Sequence, residues 1–225
     1  MRQHLLTKLI IDHNPDLICL QEIKCQDEQL DKEWLLDLGY NIVHKGQKSY
    51  NGVAILSKST VEIIDHKLGG YDYDEARFLK VFVNDWCVYN VYVTNGQEIQ
   101  STAYYKQIEY LTSLIQDLRM ENSDKIIVAG DFNVAPTNSD TDPQLLGAAM
   151  CSSAMRILWK ELLDIGFYDN LRQFTWWDYR FKGNLGCKID NILVKNSTNT
   201  KIDVLLNYRF GCLKPSDHAP LLCIV

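Results

Sequence analysis

LICLQ at residues 17–21 and IIVA at 126–129 are apolar at successive positions, not at every second one. A strand with one wet face alternates, whereas a strand covered on both faces reads as a nearly continuous apolar run. The covering layers are legible too. A helix over 2–13 puts Leu5, Leu6, Leu9 and Ile10 on one face and stops at Pro15 and Asp16. A second is predicted over 28–38, ending at Gly39. AYYKQIEYLTSLIQDL places Tyr104, Ile108, Leu111, Ile115 and Leu118 on one stripe, and a fourth helix is expected over 155–163.

Further strands are predicted at YNIVH, NGVAILS, VEIIDHKL, RFLKVFV and WCVYNVYV, then at FTWWDY, IDNILV, IDVLLNY and PLLCIV. Strands outnumber helices, and hairpin-like pairs are mixed with helical crossovers. Neither a barrel of alternating units nor an all-β sandwich accounts for that count. The expected class is α/β (α+β), with two packed mixed sheets flanked by helices. No linker or repeat breaks the 225 residues, so one domain is expected.

A hydrophobic content of 46% places the chain among globular proteins. No apolar run approaches the roughly 18 residues of a membrane helix. The N-terminus meets Asp12, His13 and Asn14 too soon for an export signal. Seven scattered cysteines, without a CxxC pair, fit a reduced cytoplasmic protein. The net charge of −6 argues against nucleic-acid binding by charge alone. Acidic residues gathered around a divalent cation are compatible with it. Charge is uneven: residues 16–40 are acidic, while 172–188 carry Arg172, Arg180, Lys182 and Lys188 against Asp178.

The acids lie where strands end. Glu22 follows LICLQ, Asp131 and Asn133 end IIVAG, Asp190 begins DNILV, and Asp217 with His218 precedes APLLCIV. Loops at one edge of a sheet collect function because the scaffold holds them rigid. Carboxylates converging there would repel, raising their pKa values or drawing in a cation. Mg²⁺ suits such oxygen ligands and keeps several waters. Each residue also has a plainer reading. Asp131 could close an Asx turn, Asp190 could pair with Lys188, Glu22 could sit on the surface, and His218 could be structural.

LQEIK, GDFN, KID and SDHAP occur in that order, and with them the chain resembles the endonuclease/exonuclease/phosphatase superfamily. Within it, the chain is similar to the exonuclease III class of abasic-site endonucleases, from Arg2 to the C-terminus. The resemblance implies a four-layer sandwich. It implies a monomer that uses Mg²⁺, or Mn²⁺, to hydrolyse double-stranded DNA 5′ to abasic sites or at 3′ ends. The location expected with it is cytoplasmic, at the nucleoid.

By the same resemblance Glu22 is a metal ligand, and Asp131 orients or deprotonates the attacking water. Asn133 bonds the phosphate, Asp190 fixes His218, and His218 contacts the scissile phosphate. Asp217 is a further carboxylate on the metal side, so the metal set comprises Glu22, Asp131, Asn133, Asp217 and His218. Tyr92 lies near the phosphate, and Trp176 lines the pocket for a flipped-out sugar. Arg77 and Lys24 are further substrate or site contacts.

The chain departs from the family pattern in several places. Thr94 replaces a common proline, Lys188 a common arginine, and the loop before KID is short. A first strand that supplies a metal-site asparagine is not found before Arg2, which looks like the arginine ending that motif. Its loss would leave neighbours with unpaired backbone groups, each costing about 1–3 kcal/mol when buried. The expectation is a true start upstream of Met1, or an impaired form. Two other functions stay open: a phosphoinositide or sphingolipid phosphodiesterase of the same superfamily, and a degenerate DNA-binding module.

Overall fold

Residue-level alternation explains how the layers stack in the computed structural model, which describes residues 3–180, 185–198, 200–211 and 216–225. Arg2, Lys182, Cys212 and residues 181–184 of the short loop lie outside the described residues.

A three-stranded antiparallel sheet has the order β1 (Leu17–Gln21), β3 (Val53–Ser57), β2 (Asn41–Lys45). On β1, Cys19 and Leu17 face inward, while Ile18 and Leu20 pack outward on α1 (Gln3–His13) and α2 (Glu33–Asp37). β3 divides the same way, with Val53 and Ile55 inward and Leu56 outward. Both strands are therefore covered twice, which is why their sequences do not alternate.

The inward residues meet a six-stranded sheet. Its order is β4 (Glu62–Asp65), β5 (Phe78–Val83), β6 (Trp86–Tyr92), β7 (Ile126–Asp131), β11 (Asp190–Lys195), β8 (Phe167–Tyr168). Leu79, Val81, Val83 and Val88 supply its side of the shared core. The opposite face, with Phe78, Tyr89, Val91, Ile126 and Val128, packs under α3 (Thr102–Met120) and α4 (Ser153–Leu163). Ser101 and Ser152 cap these two helices by accepting from the backbone N–H of Tyr104 and Met155. The layer order is thus helix, sheet, sheet, helix. The large sheet is mixed, since β6 and β7 run parallel, whereas every described pair of the smaller sheet is antiparallel.

Asn90 is fully buried between the sheets. Its amide donates to the carbonyls of Leu20 and Ala54 at 3.0 and 2.9 Å, and its oxygen accepts from Gln21 Nε2 at 2.6 Å. A buried amide with such partners fixes how one sheet lies on the other.

Two two-stranded antiparallel sheets complete the described strands: β9 (Trp176–Asp178) with β10 (Leu185–Cys187), and β12 (Lys201–Val204) with β13 (Leu221–Ile224). Among the described residues, β1 pairs only with β3, and β13 only with β12. No helix among the described residues is long and apolar enough to cross a membrane.

The segment expected as one helix over 28–38 is a 3₁₀ turn at Asp27–Gln29 followed by the five-residue α2. Asp27 is drawn off to accept from Gly46 N–H at 2.6 Å, and Asp31 accepts from Glu33 N–H at 3.2 Å, restarting the helix. IDVLLNY is a strand only as far as Val204. Leu206–Phe210 forms a helical turn, α5, with Tyr208 buried.

Candidate active site

The candidate site is built where β6, β7 and β11 end together. In the ladders Tyr92 pairs with Asp131, and Asp131 with Asp190, so three strand ends set these side chains at one rim. Gly130 lets β7 reach that position. Its φ is +145°, and a Cβ there would lie 1.9 Å from the Val91 carbonyl oxygen.

Beyond Asp131 the chain turns through Asn133, at φ +50°. The Asn133 N–H donates to Asp131 Oδ1 at 2.9 Å and its Nδ2 to Asp131 Oδ2 at 3.2 Å. The same Nδ2 donates to Val93 O at 2.9 Å, and the Asn133 carbonyl accepts from Gln107 Nε2 at 2.7 Å. The GDFN turn is therefore an Asx turn that also aims a carboxylate.

Asp190 faces His218 from β11. The His218 Nδ1 lies 2.9 and 3.1 Å from the two Asp190 oxygens. Thr175, fully buried, anchors both sides of this pair. Its hydroxyl accepts from the N–H groups of Ile189 and Asp190, and its carbonyl accepts from Ala219 N–H at 2.7 Å. Asp131, Asp190 and His218 each offer a ligand atom, and these atoms lie within 4.8 Å of one another.

Electrostatics follow from that crowding. Burial, then the nearby Asp190 charge, pushes the Asp131 carboxyl up to about 8, with His218 and the Asn133 N–H opposing. Burial works against a charge on His218, yet Asp190, then Asp131 and Asp217, raise it to about 10, so it is an imidazolium at neutral pH.

Glu22 stands at the rim on the β1 side, at φ +55°. It accepts from the Tyr92 hydroxyl and pairs with Lys24 Nζ at 2.5 Å. Burial opposes its charge, but these two donors outweigh burial and hold the carboxyl below its usual range. Tyr92, conversely, is pushed up by burial and by the Glu22 carboxylate. Glu22, Lys24, Tyr179, Arg209, Asp217 and His218 line one cleft of about 560 Å³.

The other expected residues are arranged around this centre. The Asp217 carboxylate accepts from the Trp176 indole N–H at 3.1 Å, so it stands off from the three-residue cluster. Trp176 also packs beside Ala135, Cys151, Cys187 and Ile189, while Trp177 turns the other way and meets Phe210 edge-on. Arg77 is tied inward: its Nε pairs with Glu75 at 2.7 Å, its NH1 donates to Tyr92 O, and it lies 4.5 Å over the Tyr92 ring. Lys188 is buried between Asp140 and Asp169, at 3.2 and 2.6 Å, rather than paired with Asp190. Thr175, Glu75, Tyr179 and Arg209 were not visible as site residues in the sequence. Thr175 reads as an ordinary strand residue, and Arg209 directly follows a segment expected to be extended.

Donor chemistry at this rim fits a divalent cation. Hard oxygen ligands crowd until one carboxyl is forced toward its neutral form, a repulsion that a cation relieves. The sequence matches the model of the Endonuclease/Exonuclease/phosphatase family over residues 2–218. The chain belongs to this family. Exodeoxyribonuclease III of Haemophilus influenzae is 31% identical to it over 98% of this chain and 93% of that protein. The Neisseria 3′ phosphatase NExo, solved bound to a product DNA hairpin, superposes with a TM-score of 0.92 and 33% identity, covering 98% and 92% of the two chains. An AP endonuclease from Archaeoglobus fulgidus gives 0.90 and 30%, covering 99% and 93%. Within its family the chain is exonuclease III-like.

Proposed function

We propose that this chain is a Mg²⁺-dependent DNA repair nuclease that hydrolyses the phosphodiester 5′ to abasic sites and trims blocked 3′ ends. The observation that carries the reading is the meeting of Asp131, Asp190 and His218 within 4.8 Å, beside a cleft that Glu22 and Asp217 also line. Names of relatives support the same class, since they include an exodeoxyribonuclease III, an AP endonuclease and a 3′ phosphatase.

Phosphodiester hydrolysis needs an oriented water, a proton acceptor and positive charge on the phosphoryl oxygens. Asp131 is the acceptor: both its oxygens are fixed by Asn133, and its raised pKa matches that role near neutral pH. His218, held charged by Asp190, donates to a non-bridging phosphate oxygen. Tyr92 and Lys24 keep Glu22 ionised and oriented. A divalent cation held by Glu22, Asp131 and their neighbours would supply Lewis acidity at the phosphate. An abasic nucleotide has no base to unstack, so presenting it to the cleft costs little.

The enzyme acts on double-stranded DNA as a monomer in the cytoplasm, a setting supported by the six described cysteines, all unpaired. Four substrates at equal concentration test the reading: a duplex with one abasic site, a duplex ending in a 3′-phosphate, an intact duplex and a phosphoinositide. Incision mapping immediately 5′ to the abasic site, abolished by chelator, is the expected result. Faster turnover of the phosphoinositide would replace this reading with the lipid one.

A further inference from the structure

Three cationic side chains are buried among the described residues: Lys80, Lys188 and Arg209. Lys80 sits between Asp117 and Glu121, at 2.9 and 2.8 Å, and Lys188 between Asp140 and Asp169. Arg209 is different. It is 8% exposed, yet no carboxylate among the described residues lies within ion-pair distance of it. Its Nε donates to the Asp217 backbone carbonyl at 3.2 Å. The flat guanidinium lies 4.9 Å from the Phe210 ring centre and 5.9 Å from that of Trp177. One hydrogen bond and two rings fix its orientation while leaving its charge uncompensated, and a buried charge without a counter-ion is costly. Arg209 borders the same cleft as His218 and Glu22.

We infer that Arg209 is an anion-binding residue of the cleft, completed by a phosphate of the DNA strand next to the one that is cleaved. A guanidinium presents a planar fork of N–H donors that matches phosphate oxygens, and with Nε already spent the terminal nitrogens remain for the ligand. Desolvation by Phe210 and Trp177 strengthens that contact. Asp131, Asp190 and His218 supply the groups of the bond-breaking step, and Arg209 is a residue for substrate binding and register. The inference rests on the nuclease reading for its source of phosphate, but not for the anion chemistry itself.

The test uses the full chain in chelator, so that no cleavage is needed. Binding of a duplex carrying a stable abasic analogue is measured against salt for the native protein, Arg209→Gln and Arg209→Lys. Arg209→Gln is expected to weaken binding about tenfold and to lower the slope of log K on log salt by about 0.9, the share of one phosphate contact. Arg209→Lys keeps the slope and loses part of the affinity. In parallel, inorganic phosphate is expected to raise the melting temperature of the native protein but not of Arg209→Gln. In phosphate-free buffer that variant melts at or above the native temperature, because an uncompensated charge has been removed.

A folded Arg209→Gln with the native slope and the native phosphate response overturns the inference. So does a variant that melts several degrees lower with an unchanged slope, which would make the residue structural. If the variant does not fold, the Arg209 Nε–H resonance of the native protein decides: a shift on adding phosphate supports the site and no shift refutes it. A native chain that ignores DNA yet loses its phosphate response in Arg209→Gln would keep the anion site and reject the nuclease. Native cleavage of abasic DNA with an unaltered slope in the variant would do the reverse.

Discussion

Gly130 carries a steric constraint that can be converted into numbers. It pairs with Val91 on one side and Asn191 on the other, in the centre of the six-stranded sheet, one residue before Asp131. A methyl group at this position meets the Val91 carbonyl oxygen at 1.9 Å and its carbon at 2.9 Å. Both are backbone atoms held by the ladder, so neither can swing aside. A non-glycine residue at φ +145° costs about 1–3 kcal/mol, and overpacking a fixed site costs about 1–3 kcal/mol more. The middle of that range, about 4 kcal/mol, corresponds to a melting temperature lowered by about 8–16 °C in a chain of this size. Relief of the overlap also moves Asp131, and a misplacement of about 1 Å costs about 100-fold in rate. Thermal melts and single-turnover incision at 20 °C check Gly130→Ala. Gly69→Ala, where the new methyl meets nothing within 4 Å, is the control and should stay within about 0.5 kcal/mol of native. A Gly130→Ala protein that melts within 2 °C of native (~0.5–1 kcal/mol) and cuts at the native rate would refute the reasoning.

Lys188→Met should cost about 3–5 kcal/mol in denaturant melts, because it strands Asp140 and Asp169 as buried charges; adding Asp169→Asn should recover part of the loss. Glu75 is held below its ordinary value of 4.5 by Arg77, Lys106 and Tyr71 despite burial. Its folded pKa is depressed, so the stability it contributes is present above about pH 4.5 and fades as the pH falls through the lowered value. The gap between native and Glu75→Gln in urea melts should accordingly close in acid and stay open at neutral pH. In Asp190→Asn the imidazolium loses its nearest counter-charge. The His218 titration, followed by its ring proton resonance in chelator, should move from about 10 toward the ordinary 6.5.

Much of the layering was legible because burial on two faces leaves a mark in composition. Runs such as LICLQ and VAILS cannot be explained by a sheet with a wet side, and the α3 stripe announces a helix covering one. Short elements left no such mark. Phe167–Tyr168 and Leu185–Cys187 are too short to display a repeated alternation, and Leu206–Phe210 follows a strand whose apolar pattern runs on into it. The α2 region misled for another reason, since Asp27 and Asp31 spend their side chains on backbone donors and interrupt a helical pattern.

Site legibility divides along similar lines. Acids and a histidine at strand ends could be picked out, and the ladders Tyr92–Asp131–Asp190 bring two of the acids to one rim beside Tyr92. Supporting residues could not, because their role depends on contacts across long separations. Thr175 binds the Asp190 and Ala219 backbones, and Arg209 reaches the cleft only because α5 turns there. Lys188 shows the converse case: proximity in sequence to Asp190 suggested a pair, whereas its ammonium group is claimed by Asp140 and Asp169.

The proposed reaction depends on a carboxylate cluster that takes a proton from water while a cation offsets its charge beside a DNA phosphate. Single-turnover incision of an abasic duplex, measured with and without chelator in the native chain and in Asp131→Ala, addresses it directly. The native chain should cut immediately 5′ to the lesion only when Mg²⁺ is present, and the variant should be slower by about 10²–10⁴-fold while still binding the duplex. Incision that survives chelation, or that proceeds at the native rate without the Asp131 carboxylate, would contradict the account.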